Sequence, residues 1–224
     1  MSVSGILFDL DGTLVDSVKE MHLALNLALS DVAFPVVSQG QVQQWVGNGI
    51  DVLVKRGLSC HVEINPDLSE VLITQAIARF KVHYQELVGE YAELYPGVEI
   101  GLYELGTLPK ALVTNKNRAF TLQLLQKLNI AKHFDVIVCG DDGNKKPAPD
   151  LLQLACEQLG INAEQAIMIG DSKSDILAAQ HAQIPVIAVN YGYNQGETLS
   201  QFNPQYLCEQ FSDIIPIFSK PELI

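Results

Sequence analysis

Gly5-Ile6-Leu7-Phe8-Asp9-Leu10-Asp11-Gly12-Thr13-Leu14-Val15-Asp16 is the stretch that governs the fold. Residues 5–8 run into Asp9 with no polar alternation, the pattern of a short strand covered on both faces. Two aspartates two apart leave the end of that strand, and Gly12 lets the backbone turn sharply behind them. Working outward, similar apolar runs occupy 110–113, 136–139, 166–169 and 186–189. They end at Thr114, Gly140, Gly170-Asp171 and Asn190. Between them lie amphipathic stretches. Phe120, Leu124, Leu125 and Leu128 share one helical face, as do Leu151, Leu152, Ala155 and Leu159, with Gly160 as a stop signal. A shorter helix covers 175–182. Strand and helix alternate, which predicts a doubly wound α/β domain on a parallel sheet.

The interval between the first two runs is far longer than the rest. Residues 16–95 show no clear strand and several helical patterns. Ser17 is placed to cap a helix through Met21, Leu25 and Ala28. Leu68, Leu72, Ala76, Phe80 and Tyr84 form an apolar stripe. The expected organisation is a core domain of 1–15 and 96–224 with an inserted all-helical domain of 16–95. Pro96-Gly97 marks the return. If the chain winds one way through its third strand and then crosses back, the fourth strand lies beside the first. The two tips that meet then carry Asp9, Asp11, Asp171 and Asp175, at the place where open α/β sheets bind ligands.

The bulk numbers exclude some functions. The chain has 224 residues, 48% of them hydrophobic, enough for a substantial core. A formal net charge of −12 disfavours nucleic acid and anionic lipid. Any phosphate chemistry must therefore rest on local cations. Cys60, Cys139, Cys156 and Cys208 form no C-x-x-C pair, and Cys139 and Cys156 fall in apolar surroundings, so no disulfide or zinc framework is expected. An apolar strand begins within five residues of the start, without a basic segment before it, so no signal peptide is expected. There is no apolar stretch of the ~18 residues a membrane helix needs. A cytoplasmic location follows by elimination.

Aspartates converging from two strand tips repel one another, so either their pKa values rise or a divalent cation neutralises them. A hard cation with oxygen ligands fits, and magnesium suits one or two carboxylates plus a phosphate. Val113-Thr114-Asn115-Lys116 places a hydroxyl and main-chain N–H groups at another tip, where phosphate oxygens can be held. Lys145-Lys146-Pro147 brings a lysine able to act on phosphate as a point charge, in a loop stiffened by Pro147 and Pro149. Taken alone, the first of these features reads more readily as an ordinary turn and the second as a solvated surface pair.

The order of these motifs resembles the haloacid dehalogenase-like phosphatase superfamily. Asp9-x-Asp11-Gly12-Thr13, Thr114-Asn115, Lys146-Pro147 and Gly170-Asp171-x-x-x-Asp175 span nearly the whole chain. Trp45-Val46-Gly47-Asn48-Gly49, Gly140-Asp141-Asp142 and Tyr191 to Glu197 are similar to stretches of bacterial phosphoglycolate phosphatases. The resemblance implies a Rossmann-like core with a helical cap. It implies a magnesium-dependent phosphomonoesterase acting through an aspartyl-phosphate on Asp9, with Asp11 as acid and base. It also implies magnesium held by Asp9, Asp11 (through its carbonyl), Asp171 and Asp175. Thr114, Asn115 and Lys146 are expected to bind phosphate, and Gly47, Asn48 and Gly49 to meet the leaving group. The partner implied is a small phosphomonoester, 2-phosphoglycolate first among them, turned over by a monomer or homodimer.

The chain departs from many relatives at Ala148, where a histidine is common, and has a short segment before its second strand. Phosphosugar mutase, pyrophosphatase and broad-specificity phosphatase use the same scaffold, although Thr13 stands where mutases commonly have valine. Asp11 argues against a dehalogenase. A phospho-acceptor or binding protein is the non-enzymatic alternative, and the full set of motifs argues against it.

Overall fold

The computed structural model describes residues 3–219; the remaining ends of the expected core domain lie outside the described residues. The strands are β1 (Gly5–Phe8), β2 (Val15–Asp16), β3 (Glu93–Leu94), β4 (Lys110–Val113), β5 (Val136–Val138), β6 (Ala166–Gly170), β7 (Val186–Val189) and β8 (Tyr206–Cys208). The helices are α1 (Val18–Asp31), α2 (Gln39–Trp45), α3 (Ile50–Ser59), α4 (Glu70–Leu87), α5 (Val98–Glu104), α6 (Arg118–Lys127), α7 (Asp150–Leu159) and α8 (Lys173–His181).

Six strands form one sheet in the order β5-β4-β1-β6-β7-β8, every neighbour parallel. The chain winds outward from β1 through β4 to β5, then crosses back to place β6 on the other side of β1. The expected meeting of the first and fourth runs therefore holds: Phe8 lies opposite Ile169. β1 shows why the runs do not alternate in polarity. Ile6 and Phe8 enter one apolar cluster with Phe134 and Phe211, while Leu7 enters the other with Leu151 and Leu152 of α7. Both faces are covered, so both parities are apolar. α7 ends at Gly160, whose φ of 70° supplies the left-handed cap.

β8 was not legible in the sequence. It is a three-residue edge strand, and only its Cys208 is buried. β2 and β3 likewise leave no strand pattern in the sequence. These two-residue strands pair antiparallel, Val15 with Leu94 and Asp16 with Glu93, and bring the two ends of the helical excursion side by side.

Within the excursion, α1 packs along α4, and α2 and α3 close the bundle. Ala76, Phe80 and Tyr84 bury the stripe of α4, which begins after Ser69, whose Oγ accepts from the Leu72 N–H. Ser17 does precede α1, but its hydroxyl does not cap the helix. It donates to Asp11 Oδ1 at 2.5 Å instead. A tyrosine performs the anchoring: the Tyr193 hydroxyl accepts from Ser17 N at 2.8 Å and Val18 N at 3.0 Å, and donates to Asp16 Oδ1 at 2.6 Å.

Candidate active site

The tips of β1, β4 and β6 and the loop before α7 surround one buried group of charges. Carboxylate oxygens of Asp9, Asp171 and Asp175 lie within 4.8 Å of one another. Asp9 leaves β1, Asp171 leaves β6, and Asp175 sits in the first turn of α8. Ser172 caps that helix reciprocally, its N–H and Oγ donating to Asp175 Oδ2 at 3.1 and 2.6 Å. Asp171 accepts from Thr13 Oγ1 at 2.8 Å and from the Tyr193 N–H at 2.6 Å. Two backbone segments must pass very close to Asp171. A Cβ on Gly12 (φ 95°) would fall 2.1 Å from Asp171 Oδ2, and one on Gly192 would fall 2.2 Å from the Gly12 carbonyl. Neither position has room for a side chain.

Lys146 is the cation of this group. It is buried, and its Nζ donates to Asp9 Oδ1 at 2.7 Å, Asp175 Oδ1 at 2.7 Å and the Val113 carbonyl at 2.8 Å. All three ammonium protons are thereby engaged. Burial favours the neutral amine, but the Asp175 and Asp9 charges outweigh it and hold the lysine firmly protonated.

One lysine does not balance three carboxylates. Burial pushes Asp9 up to about 7, against the pull of Lys146, with Asp175 and Asp11 adding to the rise. Asp171 is also pushed well up, by burial first and by Asp9 and Asp175 next. Uncompensated negative charge on convergent carboxylate oxygens is the donor set a hard divalent cation takes. The residues therefore fit a metal at this point.

Asp11 stands apart from that group. Its carboxylate faces the helical bundle, accepting from Lys116 Nζ at 2.8 and 2.9 Å as well as from Ser17. Thr114 is buried at the β4 tip, its Oγ1 accepting from the Lys116 N–H. The Asn115 side chain is a brace: Oδ1 accepts from Lys146 N, and Nδ2 donates to the carbonyls of Lys146 and Gly47. Gly47 thus touches the core. Asn48 does too, donating to Ser174 Oγ at 3.1 Å, while Arg56 Nη1 donates to Asn48 Oδ1 at 3.0 Å. Gln195, opposite this loop, donates to the Val46 carbonyl.

A small cavity separates bundle and core. The space open to the centre of a water-sized sphere is about 40 Å³. Its polar wall is Asp9, Asp11, Thr114, Asn115 and Lys116; Met21, Val46, Ile50, Leu53, Phe80 and Tyr84 form the apolar wall. Gly47 and Gly49 border it, while Asn48 does not.

The sequence model of the haloacid dehalogenase-like hydrolases matches residues 6–189. The chain belongs to that family. Among its relatives is a phosphoglycolate phosphatase of Colwellia psychrerythraea, 41% identical over 94% of each chain. Another, from Vibrio cholerae, is 40% identical over 96% of this chain and 97% of its own. A solved structure described as a predicted phosphoglycolate phosphatase from Haemophilus somnus superposes with a TM-score of 0.89. It is 33% identical and covers 97% of this chain and 98% of its own. In haloacid dehalogenase-like terms, the helices of 18–87 are the cap and the six-stranded domain is the core.

Sequence reasoning gave no role to Lys116, Tyr193, Ser172 or the Asn115 side chain. Lys116 carried a signal, since it directly follows a strand-tip Thr-Asn. Tyr193 lies in the stretch Tyr191 to Glu197 that resembles the family, but its partners at 16–18 are remote in sequence and give no sign of its anchoring role.

Proposed function

We propose that the chain is a magnesium-dependent phosphatase of small phosphomonoesters, with 2-phosphoglycolate as its substrate and glycolate and phosphate as products. The observation that supports this best is the placement of two separate carboxylates on the same cavity. Asp9 is locked on Lys146, and Asp11 lies apart from the three-carboxylate group. In this reading Asp9 is the nucleophile and Asp11 transfers the proton. The names of the relatives support the choice of substrate.

In the first half-reaction an Asp9 oxygen forms a bond to phosphorus as the ester P–O bond breaks. Asp11 gives its proton to the departing oxygen. In the second, Asp11 takes a proton from water, whose oxygen attacks the same phosphorus and frees Asp9 and phosphate. Asp9, Asp171 and Asp175 would hold the magnesium, with the Asp11 carbonyl as the further ligand the family suggests. Bound there, the ion supplies positive charge against the phosphoryl oxygens. Lys146 orients Asp9 and adds charge at the same end, and Thr114 with the Asn115 N–H faces the phosphoryl oxygens. Positioning and neutralisation are most of what phosphoryl transfer asks of a protein. The cap limits water. Gly47 and Gly49 offer main-chain groups to the leaving alcohol, with Asn48 holding their loop to the core. The same reading includes a domain division at 16–95 and a cytoplasmic location. Among the described residues no helix is long and apolar enough to cross a membrane.

The test is phosphate release from 2-phosphoglycolate, sugar phosphates and pyrophosphate, with magnesium and with chelator, beside Asp9→Asn. Magnesium-dependent release greatest on 2-phosphoglycolate and absent in Asp9→Asn is expected. Undiminished release by Asp9→Asn removes the aspartyl-phosphate, and preference for a sugar phosphate or pyrophosphate removes the substrate.

A further inference from the structure

Lys116 is buried at the cavity, and the steps above give it no role. Among the described residues that line the cavity it carries the only cation. Two of its three N–H groups go to the Asp11 oxygens, and the third remains for a ligand. The ammonium also lies 5.1 Å from the centre of the Tyr84 ring, so the cap face of the site closes over it.

A charged leaving group needs such a cation. A carboxylate moved from water into this space meets six apolar cap side chains and two aspartates. Left unpaired there, it loses much of the solvation it had in water. Lys146 has no proton to offer, since Asp9, Asp175 and the Val113 carbonyl take all three. Lys145 reaches the cap loop, where a Cβ on Gly49 would come within 2.8 Å of its Nζ, but it is not among the residues lining the cavity. Lys116 is left. Its clasp on Asp11, the group that serves the ester oxygen, sets the reach. An anion on the carbon next to the ester-bearing carbon would come beside Lys116, whereas a longer chain would carry it away from the Lys116–Asp11 pair.

We propose that Lys116 recognises the anionic end of the leaving alcohol, so that the site selects short phosphomonoesters bearing a carboxylate. This rests on the phosphomonoesterase reading above and adds a residue that sets specificity. Lys116 bonds the carboxylate through its free N–H while keeping its hold on Asp11.

The experiment compares kcat/KM for 2-phosphoglycolate and for 2-hydroxyethyl phosphate, which is nearly isosteric but neutral at its far end. Both esters are assayed with magnesium on the unaltered protein, Lys116→Met, Lys116→Arg and Lys145→Met. The unaltered protein is expected to prefer the carboxylate ester by at least about 30-fold, the scale of a buried charge pair. Lys116→Met should reduce that preference to within about threefold, mainly through KM for the carboxylate ester. Lys116→Arg should keep part of it, and Lys145→Met most of it. An equal loss on both esters in Lys116→Met, with the preference intact, shows a lysine acting only on Asp11 and overturns the proposal. So does a preference that follows Lys145. Equal turnover of the two esters by the unaltered protein overturns it whether or not Lys116→Met folds. If the unaltered protein hydrolyses neither, the phosphatase reading has failed. Calorimetric binding of 2-phosphoglycolate, weakened or unchanged in Lys116→Met, then decides the Lys116 assignment alone.

Discussion

Replacing Tyr193 with phenylalanine removes one oxygen atom from the base of the cap. That oxygen serves three groups: the N–H of Ser17 at 2.8 Å, the N–H of Val18 at 3.0 Å, and Asp16 Oδ1 at 2.6 Å. Asp16 is exposed and can turn to water. Ser17 and Val18 are buried, and the remaining phenyl ring blocks solvent from their N–H groups. Val18 keeps a long contact to Asp16 Oδ1 at 3.4 Å, whereas the Ser17 N–H loses its partner. An unsatisfied buried N–H costs about 1–3 kcal/mol, and a weakened one about 1, giving roughly 2–4 kcal/mol in all. For a chain of this size each kcal/mol moves Tm by about 2–4 °C, so Tyr193→Phe should melt roughly 5–15 °C lower. Thermal melting followed by circular dichroism, with guanidinium unfolding to check that the m-value is unchanged, measures this. A Tm within about 2 °C of the unaltered protein would refute the assignment of Tyr193 as the anchor of α1.

Gly12→Ala should abolish activity and weaken magnesium binding at least about tenfold, because the new methyl meets Asp171 Oδ2. Calorimetric metal titration checks this, and unchanged affinity counts against Asp171 as a ligand. The metal-free protein should lose stability as pH rises. Asp9 is pushed up to about 7 in the folded protein against an ordinary carboxylate value of 3.8, so the folded state binds more protons between those values. That contribution is complete below the lower value and is lost as pH passes the upper one. Magnesium should therefore raise Tm more at about pH 8 than at about pH 5, and Asp9→Asn should flatten the metal-free profile. A metal-free profile identical in the variant and the unaltered protein would remove Asp9 as its source.

The core was legible because both-face burial leaves unbroken apolar runs, and because each run ends where chemistry begins. Asp9 with Asp171 could be placed together from strand order alone, since β1 and β6 follow from one crossing back. Short elements were lost. β8 buries one residue of three, and β2 with β3 pair over two residues each, so none has a periodicity to detect. Ser17 shows a different failure. Its position before α1 was right, but a nearby carboxylate competes for its hydroxyl, and that competitor is visible only in three dimensions. The Lys116–Asp11 pair, 105 residues apart, is of the same kind.

The β2–β3 ribbon bears on how such a protein diversifies. The chain leaves the core and re-enters it through adjacent strands, one interstrand spacing apart, about 4.8 Å. Everything between those two strands is attached like a cartridge in a two-pin socket. Any helical insert whose ends meet at that spacing can be seated on the same core without disturbing β1, β4 or β6, and therefore without moving Asp9, Thr114 or Asp171. In the proposed function, reaction chemistry and most of substrate choice would then sit on separately exchangeable parts. Lys116 is the instructive exception, because it belongs to the fixed part yet faces the interchangeable one.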